Sequence, residues 1–339
     1  MKKVIPFLLA VLILCSACSS GTPASTSAPA TQAPAREKAY VYPGEERQMA
    51  YQNPVFEKEA FAEGASYTPK FTDEALRDQF SYTGTIHWIE SHNNHVFSVL
   101  VLPDDYDAAT SCPLVLMLHG FNSTLDEWNY YVKPLNDAGY ACLLFDFRGG
   151  HSGNASRSDG KMTQMSFDTK LADVRSAVEY AASLDCVDAS RMILAGHSQG
   201  GMMALITMCD NELSNLFKGV LLLAPYTDAA IVAHYEKPED VPDTASLLLC
   251  TVGKDYLYSA WKYEHSIWSK LPDYSLPVLI LTGGADEIVS VSSVQKVAET
   301  VGTNAEFSVV ENAFHDFQPE IVTEVVSARI LPFFSALVK

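Results

Sequence analysis

Three side chains in this sequence have the type and placement to do covalent chemistry together: a serine between glycines, a later aspartate and a late histidine. Gly196-His197-Ser198-Gln199-Gly200 follows the apolar run Met192-Ile193-Leu194-Ala195 and opens a helical pattern. A serine there sits on a sharp strand-to-helix turn, where larger neighbours would clash with both elements. By composition alone a G-x-S-x-G string arises in roughly one chain in ten of this length, so the flanking strand and helix carry the weight. The competing reading of Ser198 is a plain helix cap.

A serine hydroxyl is a poor nucleophile until a base takes its proton. His315 follows the last apolar run, Glu306–Val310, in Asn312-Ala313-Phe314-His315-Asp316-Phe317. Asp286 follows the run before it, in Thr282-Gly283-Gly284-Ala285-Asp286-Glu287. The order serine, aspartate, histidine puts Asp286 where it would fix the tautomer of His315 and stabilise its imidazolium. Asp255 and Glu287 compete for the acid role. His119 and His151 lie near the same site but precede the serine, while His87, His92, His95, His197, His234 and His265 read as surface or packing residues. The oxyanion needs two backbone donors. The amide of Gln199, next after the nucleophile, is one; the amide of Phe121, in the loop His119-Gly120-Phe121-Asn122, is the other.

The elements that must position these groups follow from periodicity. Ser81–Glu90 and His95–Leu102 predict a hairpin turning across Ser91-His92-Asn93-Asn94. Short apolar runs at Leu114–Leu118, Tyr140–Asp146, Arg191–Ala195, Val220–Ala224, Val278–Thr282 and Glu306–Val310 predict strands buried on both faces. Helices are predicted over Thr124–Ala138, Phe167–Leu184, Gly200–Cys209, Val291–Val301 and Phe317–Phe334. This alternation predicts a parallel sheet covered on both sides. Residues from about Tyr226 to Leu276 break the rhythm, are rich in Tyr and Trp, and are too long for a plain connection, so they predict an inserted cap.

The combined motifs resemble the α/β-hydrolases: HGFN at His119, DFRGGHSG at Asp146, GHSQGG at Gly196, LLLAP at Leu221, GGADEIVS at Gly283 and the late AFHDF. More narrowly they resemble bacterial cinnamoyl and feruloyl esterases and serine aminopeptidase-like hydrolases, over roughly residues 81–336. A doubled Gly149-Gly150 before His151 departs from that pattern. The resemblance implies an α/β-hydrolase fold with a mostly parallel eight-stranded sheet, a small cap inserted after the sixth strand, and no cofactor or metal. It implies Ser198, Asp286 and His315 as the triad of a carboxylic ester hydrolase acting through an acyl-enzyme on small esters, with aromatic or hydroxycinnamoyl esters as the narrower class. The alternatives are a serine aminopeptidase-like peptidase and a non-catalytic ligand-binding lipoprotein on a hydrolase scaffold.

The 339 residues carry a formal charge of −18. Such a balance repels phosphate backbones and argues against nucleic-acid binding. Lys2 and Lys3 precede an apolar run, Val4–Leu14, too short to span a bilayer, as in an export signal. The following Ser16-Ala17-Cys18 resembles a bacterial lipoprotein signal and predicts cleavage of residues 1–17 and lipidation of Cys18, with the protein held at the outer face of the cytoplasmic membrane; the alternative is an ordinary signal peptide cleaved nearby and a secreted protein. Residues 18–38 then read as a low-complexity tether and 39–80 as an N-terminal arm. Beyond Cys18, five cysteines (Cys112, Cys142, Cys186, Cys209 and Cys250) predict free thiols rather than a disulfide framework.

Overall fold

The computed structural model describes residues 61–153, 155–227 and 235–338. The predicted signal, Cys18 and the tether lie outside them. Eleven strands are described: β1 (Ser66–Tyr67), β2 (Gly84–Ser91), β3 (Asn94–Val101), β4 (Cys112–Leu118), β5 (Ala141–Phe145), β6 (Val187–His197), β7 (Phe217–Leu223), β8 (Thr244–Leu247), β9 (Cys250–Gly253), β10 (Val278–Gly283) and β11 (Ala305–Val310). Nine of them form one sheet in the order β1-β2-β3-β5-β4-β6-β7-β10-β11. From β5 to β11 every pairing is parallel, while β1, β2 and β3 run antiparallel at one edge. The expected eight strands are all present. The ninth is β1, two residues of the N-terminal arm too short to leave a periodic signal.

Both faces of the sheet are apolar, which is why its strands read as continuous hydrophobic runs. Leu114, Leu116, Leu143, Leu194, Leu222 and Ile280 point into one buried cluster. Their neighbours Val115, Met117, Leu144, Ile193, Leu221 and Leu279 point into another. The first cluster is covered by helices Phe167–Ala182, Gln199–Met208, Lys254–Lys270 and Val291–Val301. The second is covered by Asn129–Asp137 and by the C-terminal run, which is α-helical over Pro319–Val325 and Leu331–Val338 with a π-helical turn at Val326–Ile330.

Helix boundaries follow local chemistry. Ser166 caps its helix by accepting the Thr169 amide at 3.0 Å, and Ser290 accepts that of Ser293 at 3.2 Å. Several predicted boundaries shift by a few residues, and two of the shifts have a local cause. The helix expected over Thr124–Ala138 begins as a 3₁₀ turn at Leu125–Trp128 and becomes α-helical only at Asn129. The hairpin between β2 and β3 is tighter than expected: Ser91 already pairs with Asn94, leaving His92 and Asn93 as a two-residue turn with φ of 48° and 61°. Positive φ at both positions matches the right-handed twist of the strands. The insertion between β7 and β10 folds, where described, into the hairpin β8–β9 and the helix Lys254–Lys270.

The segment after β5 is fixed by buried charge. Asp146 accepts the Leu125 amide at 2.8 Å and the Arg157 amide and Nε at 2.9 and 2.8 Å. Two residues on, the Arg148 guanidinium meets Asp173 on helix Phe167–Ala182 and also reaches the carbonyls of Ser91 and Thr169 at 3.3 and 3.2 Å. The Asp173 side chain is fully buried, so removing it leaves the buried Arg148 charge with backbone carbonyls alone to offset it. Asp173→Ala is therefore expected to lower unfolding free energy by about 3–5 kcal/mol, read from urea denaturation midpoints.

Candidate functional site

β6 ends at His197 and the next helix starts at Gln199, so Ser198 stands alone in the turn with φ 53° and ψ −119°. A non-glycine residue holds such a backbone only when its surroundings over-determine it. Here the Ser198 amide donates to the Leu223 carbonyl at 2.9 Å, and its carbonyl accepts from Met202 at 3.2 Å and Tyr226 at 2.9 Å. The turn closes because two neighbours lack side chains. A Cβ on Gly196 would lie 2.3 Å from the Gly200 carbonyl oxygen, and one on Gly200 would lie 2.0 Å from that of Leu118.

β4 lies beside β6, with Leu118 opposite Gly196, so the loop after β4 meets the serine. A Cβ on Gly120 would come within 3.2 Å of the Ser198 Cβ. The His119 ring fixes this loop. Its Nε2 accepts the Phe147 amide at 2.9 Å, so the ring proton sits on Nδ1 and donates to the Gly120 carbonyl at 2.8 Å. Burial first, and the nearby Lys170 charge second, keep this imidazole neutral and pull its pKa down to about 4. Because the peptide is trans, anchoring the Gly120 carbonyl turns the Phe121 N–H the opposite way. The Gly120 amide itself donates to the two Glu127 carboxylate oxygens at 2.9 and 3.1 Å. Among the described residues, neither the Phe121 nor the Gln199 amide donates to a protein acceptor. Gln199 opens its helix, where amides have no partner within the helix.

Asp286 and His315 leave the ends of β10 and β11, which pair in parallel from Val278–Ala305 to Gly283–Val310. His315 Nδ1 lies 2.9 Å from Asp286 Oδ2. The other oxygen, Oδ1, accepts the Ile288 and Val289 amides, each at 2.8 Å. Burial alone would raise the Asp286 pKa; the bond to His315 and the two amides outweigh it and hold the carboxyl below the usual carboxylate range. Its competitors lie elsewhere: Glu287 is exposed, and Asp255 sits on the helix of the insertion. No hydrogen bond joins the Ser198 hydroxyl to His315 among the described residues. With Nδ1 committed to Asp286, Nε2 is the nitrogen left for a hydroxyl proton.

Sequence reasoning placed His197 among surface or packing residues and did not mark Glu127. The structure joins them. His197 Nδ1 lies 2.7 Å from Glu127 Oε1, and His197 Nε2 lies 2.9 Å from the His315 carbonyl oxygen. Both partners only accept, so both ring nitrogens carry protons and His197 is an imidazolium. Burial would strip that proton, but Glu127 outweighs it and pushes the pKa up to about 9. One carboxylate thus holds the Gly120 amide and the residue before the nucleophile, and that residue holds the backbone of His315. Donor atoms of His197, His315 and Asp316 lie within 4.8 Å of one another, as a metal site would need. Both His197 nitrogens and Nδ1 of His315 are already engaged, which leaves too few free donors for an ion.

Residues 113–250 match the family described as alpha/beta hydrolase fold. A quorum-quenching protein, AidA, of Acinetobacter baumannii (strain MDR-ZJ06) is 34% identical over 119 residues, or 34% of this chain and 36% of that protein. The acylamino-acid-releasing enzyme of Sus scrofa is 24% identical over 214 residues, or 57% of this chain and 26% of that enzyme. The chain thus spans only about a third and a quarter of these relatives' lengths. Among solved structures, Est1E from Butyrivibrio proteoclasticus with ferulic acid bound superposes with TM-score 0.65 at 24% identity, over 74% of this chain and 99% of that one. The esterase domain of a Rhodothermus marinus protein superposes with TM-score 0.57 at 20% identity, over 76% and 99%. At these identities the structural likeness speaks for the fold.

The Glu127–His197 pair ties stability to pH. The His197 pKa lies above its ordinary 6.5 in the folded chain, so its stabilisation is complete below that value and is lost as pH rises through about 9. Thermal unfolding midpoints are expected to fall from pH 7 to pH 10, with a loss on the order of 3 kcal/mol from this group. In His197→Asn that part of the slope should vanish; equal slopes in both proteins would refute the charged assignment.

Proposed function

The chain has the α/β-hydrolase fold, and from that premise we propose that it is a serine ester hydrolase working through an acyl-enzyme. One observation carries this reading: a serine in a strained turn at the C-terminal end of a central strand, with the Gly120 loop packed against it and an Asp286–His315 pair, its side chains buried, on the ends of two adjacent strands of the same sheet. His315 Nε2 takes the Ser198 proton as Oγ attacks the ester carbonyl. The amides of Phe121 and Gln199 receive the negative charge that develops on the carbonyl oxygen. The imidazolium, steadied by Asp286, returns its proton to the leaving alcohol. Water then attacks the acyl carbon as His315 Nε2 takes its proton, and the imidazolium returns that proton to Ser198 Oγ as the C–Oγ bond breaks and the acid leaves.

The ester proposed is small and carries an aromatic acyl group. The part-exposed Phe121 ring in the oxyanion loop is the aromatic surface proposed for the acyl group, and the buried Tyr256 of the insertion backs it with ring centroids 6.0 Å apart. The ferulic acid seated in Est1E supports the same class. A peptidase reading draws on the acylamino-acid-releasing enzyme among the relatives and is tested alongside. The sequence around Cys18 supports an exported lipoprotein held at the outer face of the membrane; palmitate labelling of the wild-type and Cys18→Ser chains tests it.

Ser198→Ala is expected to lower turnover of p-nitrophenyl esters by up to roughly 10⁶ and to abolish fluorophosphonate labelling. Asp286→Asn should keep the fold and cost about 10⁴ in kcat. Methyl ferulate should be cleaved faster than aliphatic methyl esters, and aminoacyl amides hardly at all. Near-normal turnover in Ser198→Ala would refute the nucleophile, and preferred cleavage of amides would favour the peptidase.

A further inference from the structure

Gln199 has two roles that its backbone and side chain divide. Its amide is the donor beside the nucleophile, while its side chain turns into the interior and is fully buried. There the Lys170 ammonium donates to its Oε1, which leaves Nε2 to donate to the Tyr256 hydroxyl at 2.6 Å. An ammonium can only donate, so this orientation of the amide group is fixed. Lys170 is itself fully buried, on helix Phe167–Ala182, with its Nζ 4.6 Å from the Phe147 ring centroid. Tyr256 belongs to the insertion, on helix Lys254–Lys270, and is also fully buried. Its ring meets Phe167 at 5.2 Å on one side and Phe121 at 6.0 Å on the other. One tyrosine of the insertion therefore touches the residue of each oxyanion amide: Gln199 by a hydrogen bond and Phe121 by ring contact.

We propose that Tyr256 is a positioning residue that aims both oxyanion donors, so that the insertion takes part in transition-state stabilisation. The proposal rests on Ser198 being the nucleophile. A preorganised donor acts only if it is already aimed at the developing charge, and misplacement by about 1 Å can cost 10²-fold in rate. Removing the hydroxyl frees the Gln199 side chain on one side and leaves the ring that packs on Phe121 in place. The loss should therefore fall on the transition state and spare substrate binding.

The test compares Tyr256→Phe with Tyr263→Phe. Tyr263 lies on the same helix, packs on Phe167 and donates its hydroxyl to Asp168 at 2.6 Å, but reaches neither oxyanion residue in the contacts described. Assays use p-nitrophenyl acetate, with reactive Ser198 counted by fluorophosphonate titration and phenylboronic acid as the tetrahedral mimic. Tyr256→Phe is expected to lower kcat about 10-fold with KM within about twofold, and to weaken the boronic acid by the same factor. Tyr263→Phe should stay within about twofold of wild type in both. Where Tyr256→Phe folds poorly, Gln199→Met combined with Lys170→Met, which breaks the same contact from the other side without stranding the buried ammonium, should reproduce the kcat pattern. Unchanged kcat in Tyr256→Phe, an equal loss in Tyr263→Phe, or a rise in KM alone would overturn the proposal. Absence of fluorophosphonate labelling in the wild-type chain would instead overturn the nucleophile reading beneath it.

Discussion

The site depends on one backbone constraint: Ser198 is held in the left-handed half of conformational space, at a cost of order 1–3 kcal/mol. Nothing in the serine favours that state. It persists because β6 cannot move relative to β4 and β7, which flank it in parallel register, and because the helix after it presses against the end of β4. The approach is so close that Gly200 has no room for a methyl group beside the Leu118 carbonyl. Sheet register and nucleophile geometry are therefore one constraint. A shift of one residue between β4 and β6 would turn the alternating core residues out of their clusters and would also separate the Gly120 loop from the serine.

Around that turn the polar groups form a connected set in which each fixes the next. Glu127 holds the Gly120 amide and the His197 ring; His197 holds the His315 carbonyl; Asp286 holds the His315 ring; His119 holds the Gly120 carbonyl. Four separate strand ends are tied together by bonds that would each be modest in water. In a buried setting a half-satisfied network costs more than none, so the set tends to be kept or lost as a whole. This suits a catalytic site, where donors must be in place before charge develops.

Much of this was legible in the sequence, and the reason is geometric. Ser198, Asp286 and His315 each follow a short apolar run, and in a parallel sheet the C-terminal ends of such runs gather on one edge. The chain order of the three then supplies the roles. Glu127, His197, Lys170 and Tyr256 were not legible as a set, because their links join residues 29 to 70 positions apart across different elements. Only Lys170 left a trace: it interrupts the inward stripe of helix Phe167–Ala182, beside Phe167 and Val174, where a charge needs a reason. The two-residue β1 and the π-helical turn at Val326–Ile330 left none, since neither is long enough to impose a period.

The acidic balance of the whole chain does not describe the field at the serine. A charge of −18 is spread over surface carboxylates and screened beyond roughly 8 Å at physiological ionic strength. The largely buried charges linked to the turn are of both signs: the Asp286 carboxylate faces His315 and Glu127 faces His197. His197 is cationic and adjacent to Ser198 in sequence, and Lys170 is cationic and bonded to the side chain of Gln199. Glu127 offsets His197, whereas the Lys170 ammonium meets the dipoles of the Gln199 amide and the Phe147 ring. Such a buried positive charge acts through a low dielectric and falls off slowly, so it weighs more on an oxyanion forming beside Gln199 than the distant surface does. The sign of the potential where charge develops is thus set by a few interior residues.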